Sequence, residues 1–163
     1  MKYTFSGGCA KIPNRETRNL RETLRYRASL VKSRTQLKNK IHSILSKSGV
    51  SSPFSDLFGK RGIQFIKNIQ LRPCYRQAID GYLVIIEQLD ILIGQITTEI
   101  DAKVKVNEQA KLLMSIPGIG PYSAMLILSE IGDIKRFPDA KNLVSYAGLA
   151  PSVHSSGGRA MVI

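Results

Sequence analysis

Residues 14–49 read NRETRNLRETLRYRASLVKSRTQLKNKIHSILSKSG. Leu20, Leu24, Val31, Leu37, Ile41, Ile44 and Leu45 recur at steps that keep them on one face of an α-helix. No proline interrupts the run. Asn14 suits the N-cap and Gly49 suits the stop. At 1.5 Å per residue the helix is roughly 50 Å long. A helix of that length needs an apolar partner along it.

Residues 74–115, CYRQAIDGYLVIIEQLDILIGQITTEIDAKVKVNEQAKLLMS, supply one. Ile79, Leu83, Ile86, Leu89, Ile93, Ile96, Ile100 and Val104 keep three- and four-residue steps over about three heptads. Gly81 and Gly94 weaken the helix locally. The two runs therefore predict an antiparallel, coiled-coil-like hairpin over residues 14–108. Its tip holds the breakers Ser51, Ser52 and Pro53, and a Gly59-Lys60-Arg61-Gly62 turn. A short helix through Ile63, Phe65, Ile66 and Ile69 follows, closed by Pro73. Val84, Ile85, Ile91 and Leu92 are surplus to one seam and predict a second copy, as a homodimer or higher oligomer. Residues 1–13 read as a flexible lead-in without an apolar signal region. Residues 109–163 form a small helical domain, so the fold class is all-α.

Charge narrows the partner. The 163 residues carry 24 Lys and Arg against 12 Asp and Glu, a formal charge of +12. That excess suits a polyanion, most often nucleic acid. From Arg15 to Lys47 ten bases face two acids, Glu16 and Glu22. Solvated helix faces usually mix both signs. Arg15, Arg18, Arg21, Arg25, Arg27, Lys32, Arg34 and Lys38 are therefore the candidate phosphate contacts, with His42 a further surface contact. The two cysteines, Cys9 and Cys74, make no zinc spacing and no disulfide framework, which fits a reducing, cytoplasmic compartment. No apolar run reaches membrane-spanning length.

A second feature points the same way. Residues 115–137, SIPGIGPYSAMLILSEIGDIKRF, place Pro117-Gly118-Ile119-Gly120 between two apolar helical runs. Pro117 stops the first, and Pro121 suits the first position of the next. Gly118 and Gly120 free the backbone and admit another backbone closely. The pattern is that of a helix-hairpin-helix motif, whose bare N–H groups and helix dipole suit a phosphate without reading sequence. A plain helical corner is the alternative. Beyond it, Asp139-Ala140 starts a helix through Tyr146, ended by Gly148. A loop of proline, serines and glycines, expected to be mobile, leads to Ile163. The apolar end has no obvious element to join and reads as a truncation.

Residues 112–158, LLMSIPGIGPYSAMLILSEIGDIKRFPDAKNLVSYAGLAPSVHSSGG, closely resemble the C-terminal domain of the insertion-sequence-110 family of DEDD transposases. The matching motifs are IPGIG, EIGDIKRF, YAGLAPS and SSG. Upstream, residues 20–45 and SDLFGKRG, residues 55–62, look like that family's central helical region. The resemblance runs from about Arg15 to Gly158. It implies a parent in which an N-terminal RuvC-like domain binds divalent metal, Mg, through acidic residues. It implies a C-terminal serine that attacks DNA and forms a phosphoserine link, in some members under a guide RNA. The matching serine is Ser156, or Ser155 if the register shifts by one. This sequence lacks the RuvC-like part, so it is expected to hold no metal and to cleave nothing alone.

Around Ser156, Arg159 could stabilise phosphate charge and His154 is a less favoured base. Arg136 is a further phosphate candidate and Asp133 a turn residue. Tyr146 sits in an apolar helical setting that favours core packing over covalent chemistry. Two other functions stay open: a non-catalytic helix-hairpin-helix module binding double-stranded DNA or a structured guide RNA, and a basic helical interaction protein.

Overall fold

The computed structural model describes residues 14–147, 153–156 and 159–162. The helices are α1 (Arg15–Lys47), α2 (Lys60–Asn68), α3 (Pro73–Lys105), α4 (Glu108–Met114), α5 (Pro121–Ile131) and α6 (Ala140–Tyr146), with a 3-10 turn at Ile134–Arg136. Two short strands, β1 (Val153–Ser156) and β2 (Arg159–Val162), pair antiparallel. The fold is all-α apart from this ladder. Two compact units divide after Glu130, later than the boundary at residue 108 that the sequence suggests.

Local chemistry explains where the helices begin and end. The Asn14 side chain accepts from Thr17 N–H at 2.7 Å and caps α1. Gly49, at φ 67°, ends it. Val50 N–H reaches Leu45 O and Gly49 N–H reaches Ser46 O, each at 3.0 Å, the paired closure of a Schellman motif. Pro73 is the first residue of α3 rather than the end of α2. The second long run is not one helix. It breaks after Lys105, and Asn107 restarts it by accepting from Ala110 N–H at 2.9 Å.

α1 and α3 run antiparallel. Arg27 Nε donates to Thr97 Oγ1 at 2.9 Å, and Arg34 meets Asp90 at 2.6 Å. Seven residues up α1 match seven down α3, as two antiparallel helices of equal rise require. The hairpin buries two separate clusters. At the tip Ile41, Leu45, Leu57, Ile66, Ile79 and Ile86 pack together. At the other end Leu24, Ile100, Val104, Ala110, Ala124 and Met125 do so, bringing α4 and α5 onto the hairpin. Between Leu24 and Ile41 no residue of α1 is fully buried.

Gly62 corrects the expected turn. It lies inside α2 and is buried, and a Cβ there would stand 2.2 Å from the carbonyl oxygen of Leu57. This glycine permits close approach of two backbones rather than a change of direction.

Candidate nucleic-acid interface and serine hairpin

The glycine corner lies between α4 and α5. Gly118 has φ 89°, in the left-handed region that favours glycine. Ile119 N–H returns to Ile116 O at 3.1 Å, and Ala124 N–H bonds Gly120 O at 2.9 Å, opening α5. Among the described residues no acceptor meets the N–H of Gly118 or Gly120. Nothing lies within 4 Å of a Cβ built at either glycine. The close approach expected there is therefore not made by any described residue, and among them the corner is open to an external group. Leu112 and Ile116 beside it are exposed.

Of the eight α1 candidates, four have hydrogen-bond or ion-pair partners within the fold. Arg21 Nε donates to Ser129 O at 2.7 Å and its Nη2 to Glu130 O at 3.3 Å, closing the last turn of α5. Arg25 pairs with Glu22 and Glu130 at 3.4 and 3.6 Å. Arg27 holds Thr97, and its guanidinium lies 4.6 Å over the Tyr122 ring. Arg34 pairs with Asp90. Lys38 lies 4.6 Å over the Phe58 ring. Arg15, Arg18 and Lys32 are exposed, and no ion pair engages them among the described residues. His42 is exposed, with its ring edge-on to Phe58. The arginine-rich half of α1 thus serves mainly to seat α5 and α3. Sequence carried no signal for this, because the partners on α3 and α5 are 56 to 109 residues away.

The second unit holds the other candidates. Asp133 accepts from Lys135 N–H at 3.0 Å and turns the chain as expected. Asp139 caps α6, accepting from Asn142 N–H at 2.8 Å. Arg136 lies over both the Phe137 and Tyr146 rings, at 4.6 and 4.5 Å. Tyr146 is 53% exposed, so the expectation of core packing is corrected: its ring holds Arg136.

The serine region forms a strand where a mobile loop was expected. β1 and β2 pair so that Ser156 faces Arg159 and Ser155 faces Ala160. Directly opposed residues stand about 5 Å apart at Cα. The register thus separates the two serines: only Ser156 has a basic cross-strand neighbour. The overlooked signal was Gly157-Gly158 between two four-residue runs, the composition of a two-residue hairpin connection. Among the described residues no group of three His, Cys, Asp or Glu side chains could hold a metal ion.

Residues 110–161 match the family model of the IS116/IS110/IS902 transposases. Through this segment the chain belongs to that transposase family. The match takes in both the glycine corner and the serine hairpin. Over 151 residues the chain is 28% identical to the transposase for insertion sequence element IS1111A of Coxiella burnetii, covering 91% of this chain and 42% of the relative. It is 31% identical over 124 residues to the mini-circle putative transposase for IS117 of Streptomyces coelicolor, covering 72% and 30%. It is 47% identical over 72 residues to the pilin gene-inverting protein of Moraxella bovis, covering 44% and 21%. The chain spans less than half the length of these relatives. No solved structure matches it. No helix among the described residues is long and apolar enough to cross a membrane.

Proposed function

We propose that this chain forms the helical and serine-bearing parts of an insertion-sequence transposase, which binds DNA and cleaves and joins it through Ser156. One observation carries the reading: the family match spans both the open Gly118–Gly120 corner and the Ser156–Arg159 pair. The corner takes a DNA phosphate on its free N–H groups in a helix-hairpin-helix manner. Ser156 Oγ gives up its proton and bonds to phosphorus, and the scissile P–O bond breaks as the leaving oxygen gains a proton. Arg159 opposes the charge gathering on the phosphoryl oxygens. A divalent metal such as Mg would be held by acidic residues of the RuvC-like domain that family resemblance implies for the parent, and would there supply Lewis-acid chemistry. The exposed Val84, Ile85, Ile91 and Leu92 pack a second copy, giving a homodimer. The parent acts in the cytoplasm, and a structured guide RNA is a further partner.

The test is a covalent adduct. The full-length parent, incubated with labelled target DNA and Mg, should leave DNA attached to a peptide containing residue 156. Ser156→Ala should abolish the adduct and Ser155→Ala should retain it. Tight binding with no adduct from the intact parent would favour the non-catalytic nucleic-acid-binding module.

A further inference from the structure

The geometry points to a second nucleic-acid contact at the tip of the hairpin, centred on Lys47 and Arg72. It rests on the reading that the partner is nucleic acid, but on different residues. An open cleft of about 470 Å³ lies between the end of α1 and the start of α3, lined by Lys47, Ser48, Gln70, Leu71, Arg72 and Tyr75. Both bases are exposed, and no carboxylate pairs with either among the described residues.

The surroundings favour an anion. From Lys47 to Tyr75 the sequence has five bases, Lys47, Lys60, Arg61, Lys67 and Arg72, and one acid, Asp56. The Asp56 carboxylate accepts from Phe58 N–H at 3.0 Å. The end of α1 would ordinarily repel a phosphate with bare carbonyls. Here Ile44, Leu45 and Ser46 carbonyls already accept from Ser48, Gly49 and Val50 N–H, and Ser48 Oγ also donates to Ile44 O. Lys47 is thus not needed as a cap. Lys60 and Arg61 occupy the first turn of α2, where the helix dipole disfavours cations. Among the described residues no carboxylate pairs with them, whereas a polyanion would compensate both.

The cleft is lined by flexible bases, an amide and one aromatic ring, with no fork of rigid donors facing a defined base edge. That chemistry suits the phosphodiester backbone common to duplex DNA and structured RNA, read without sequence. Leu24, whose carbonyl accepts from the Tyr122 hydroxyl beside the glycine corner, is separated from Lys47 by about 35 Å of α1. Sites that far apart should respond independently to substitution.

The experiment uses the 163-residue chain with labelled duplex DNA, and separately with a structured RNA, in anisotropy titrations across a salt series. Lys47→Ala/Arg72→Ala should weaken binding about tenfold at 0.1 M salt and lower the salt slope by about two. Lys103→Ala/Lys105→Ala, which removes the same charge at the far end of α3, should weaken it less than threefold. Equal losses from the two pairs would overturn the site, leaving only net charge. Lys60→Gln/Arg61→Gln, on another helix, guards against misfolding of the first pair and should lower the slope too. Weakening confined to DNA or to RNA identifies which nucleic acid the tip takes. If Gly120→Asp has no effect while the tip pair does, the corner reading fails and the tip stands. No binding of either nucleic acid by the folded, unsubstituted 163-residue chain overturns both.

Discussion

At one end of the hairpin Arg21 closes the last turn of α5; at the other Arg76 closes the last turn of α2, donating to Ile66 O at 2.7 Å. Each guanidinium also meets a carboxylate, Glu130 at 3.7 Å and Asp80 at 2.7 Å. Each sits beside its own buried aliphatic cluster. The ends differ in what the neighbouring bases do. From Arg21 to Arg34 every arginine has a partner in the fold. At the tip Lys47, Lys60, Arg61 and Arg72 pair with no acid among the described residues. A tally of bases therefore does not locate a phosphate surface, since many of the arginines of α1 act as internal fasteners.

That contrast can be broken at several strengths. Leu24→Ala and Ile66→Ala each empty a fully buried site in one cluster, and each should cost about 3–4 kcal/mol in urea unfolding. Their costs should add in the double variant, because the clusters are remote; a large non-additive term would mean that they fold as one. Gly62→Ala drives a Cβ into the Leu57 backbone and should cost about 3 kcal/mol. Gly120→Ala meets nothing and should leave stability within about 0.5 kcal/mol. Arg21→Gln and Arg76→Gln should each lose about 2 kcal/mol, read in the same unfolding curves, because a charged donor leaves helix-end carbonyls. Arg34→Gln, which breaks a part-exposed pair with Asp90, should lose about 0.5 kcal/mol. Gly120→Asp should lower DNA affinity several-fold with its melting temperature nearly unchanged; a parallel fall in both would make the corner structural.

Much of the fold was legible because it depends on near neighbours. Asn14, Gly49, Pro121 and Asp139 act within a few residues of themselves, and each ends or starts a helix as its type suggests. The aliphatic periods of α1 and α3 report directly on the face each buries. What was not legible depends on contacts distant in sequence. Gly62 looks like a turn until Leu57 is placed against it. Tyr146 looks apolar in sequence, yet its exposed ring holds Arg136. The basic stripe looked uniform, whereas Thr97, Asp90 and the carbonyls of α5 divide it. At the candidate site, sequence already set Arg159 near Ser156, and the strand pairing adds that the two are directly opposed.

The thin middle of the hairpin has a mechanical consequence. Between Leu24 and Ile41, about 25 Å of α1, no α1 residue is fully buried, while α3 contributes the buried Ile86 and Ile93 to the seam. Such a segment is a spacer whose length is counted in whole heptads. Adding seven residues to α1 and seven to α3 at facing positions would move the ends about 10 Å apart without turning either face. Adding three or four would rotate one cluster against the other. The hairpin thus sets the spacing between its two buried clusters in steps of one heptad.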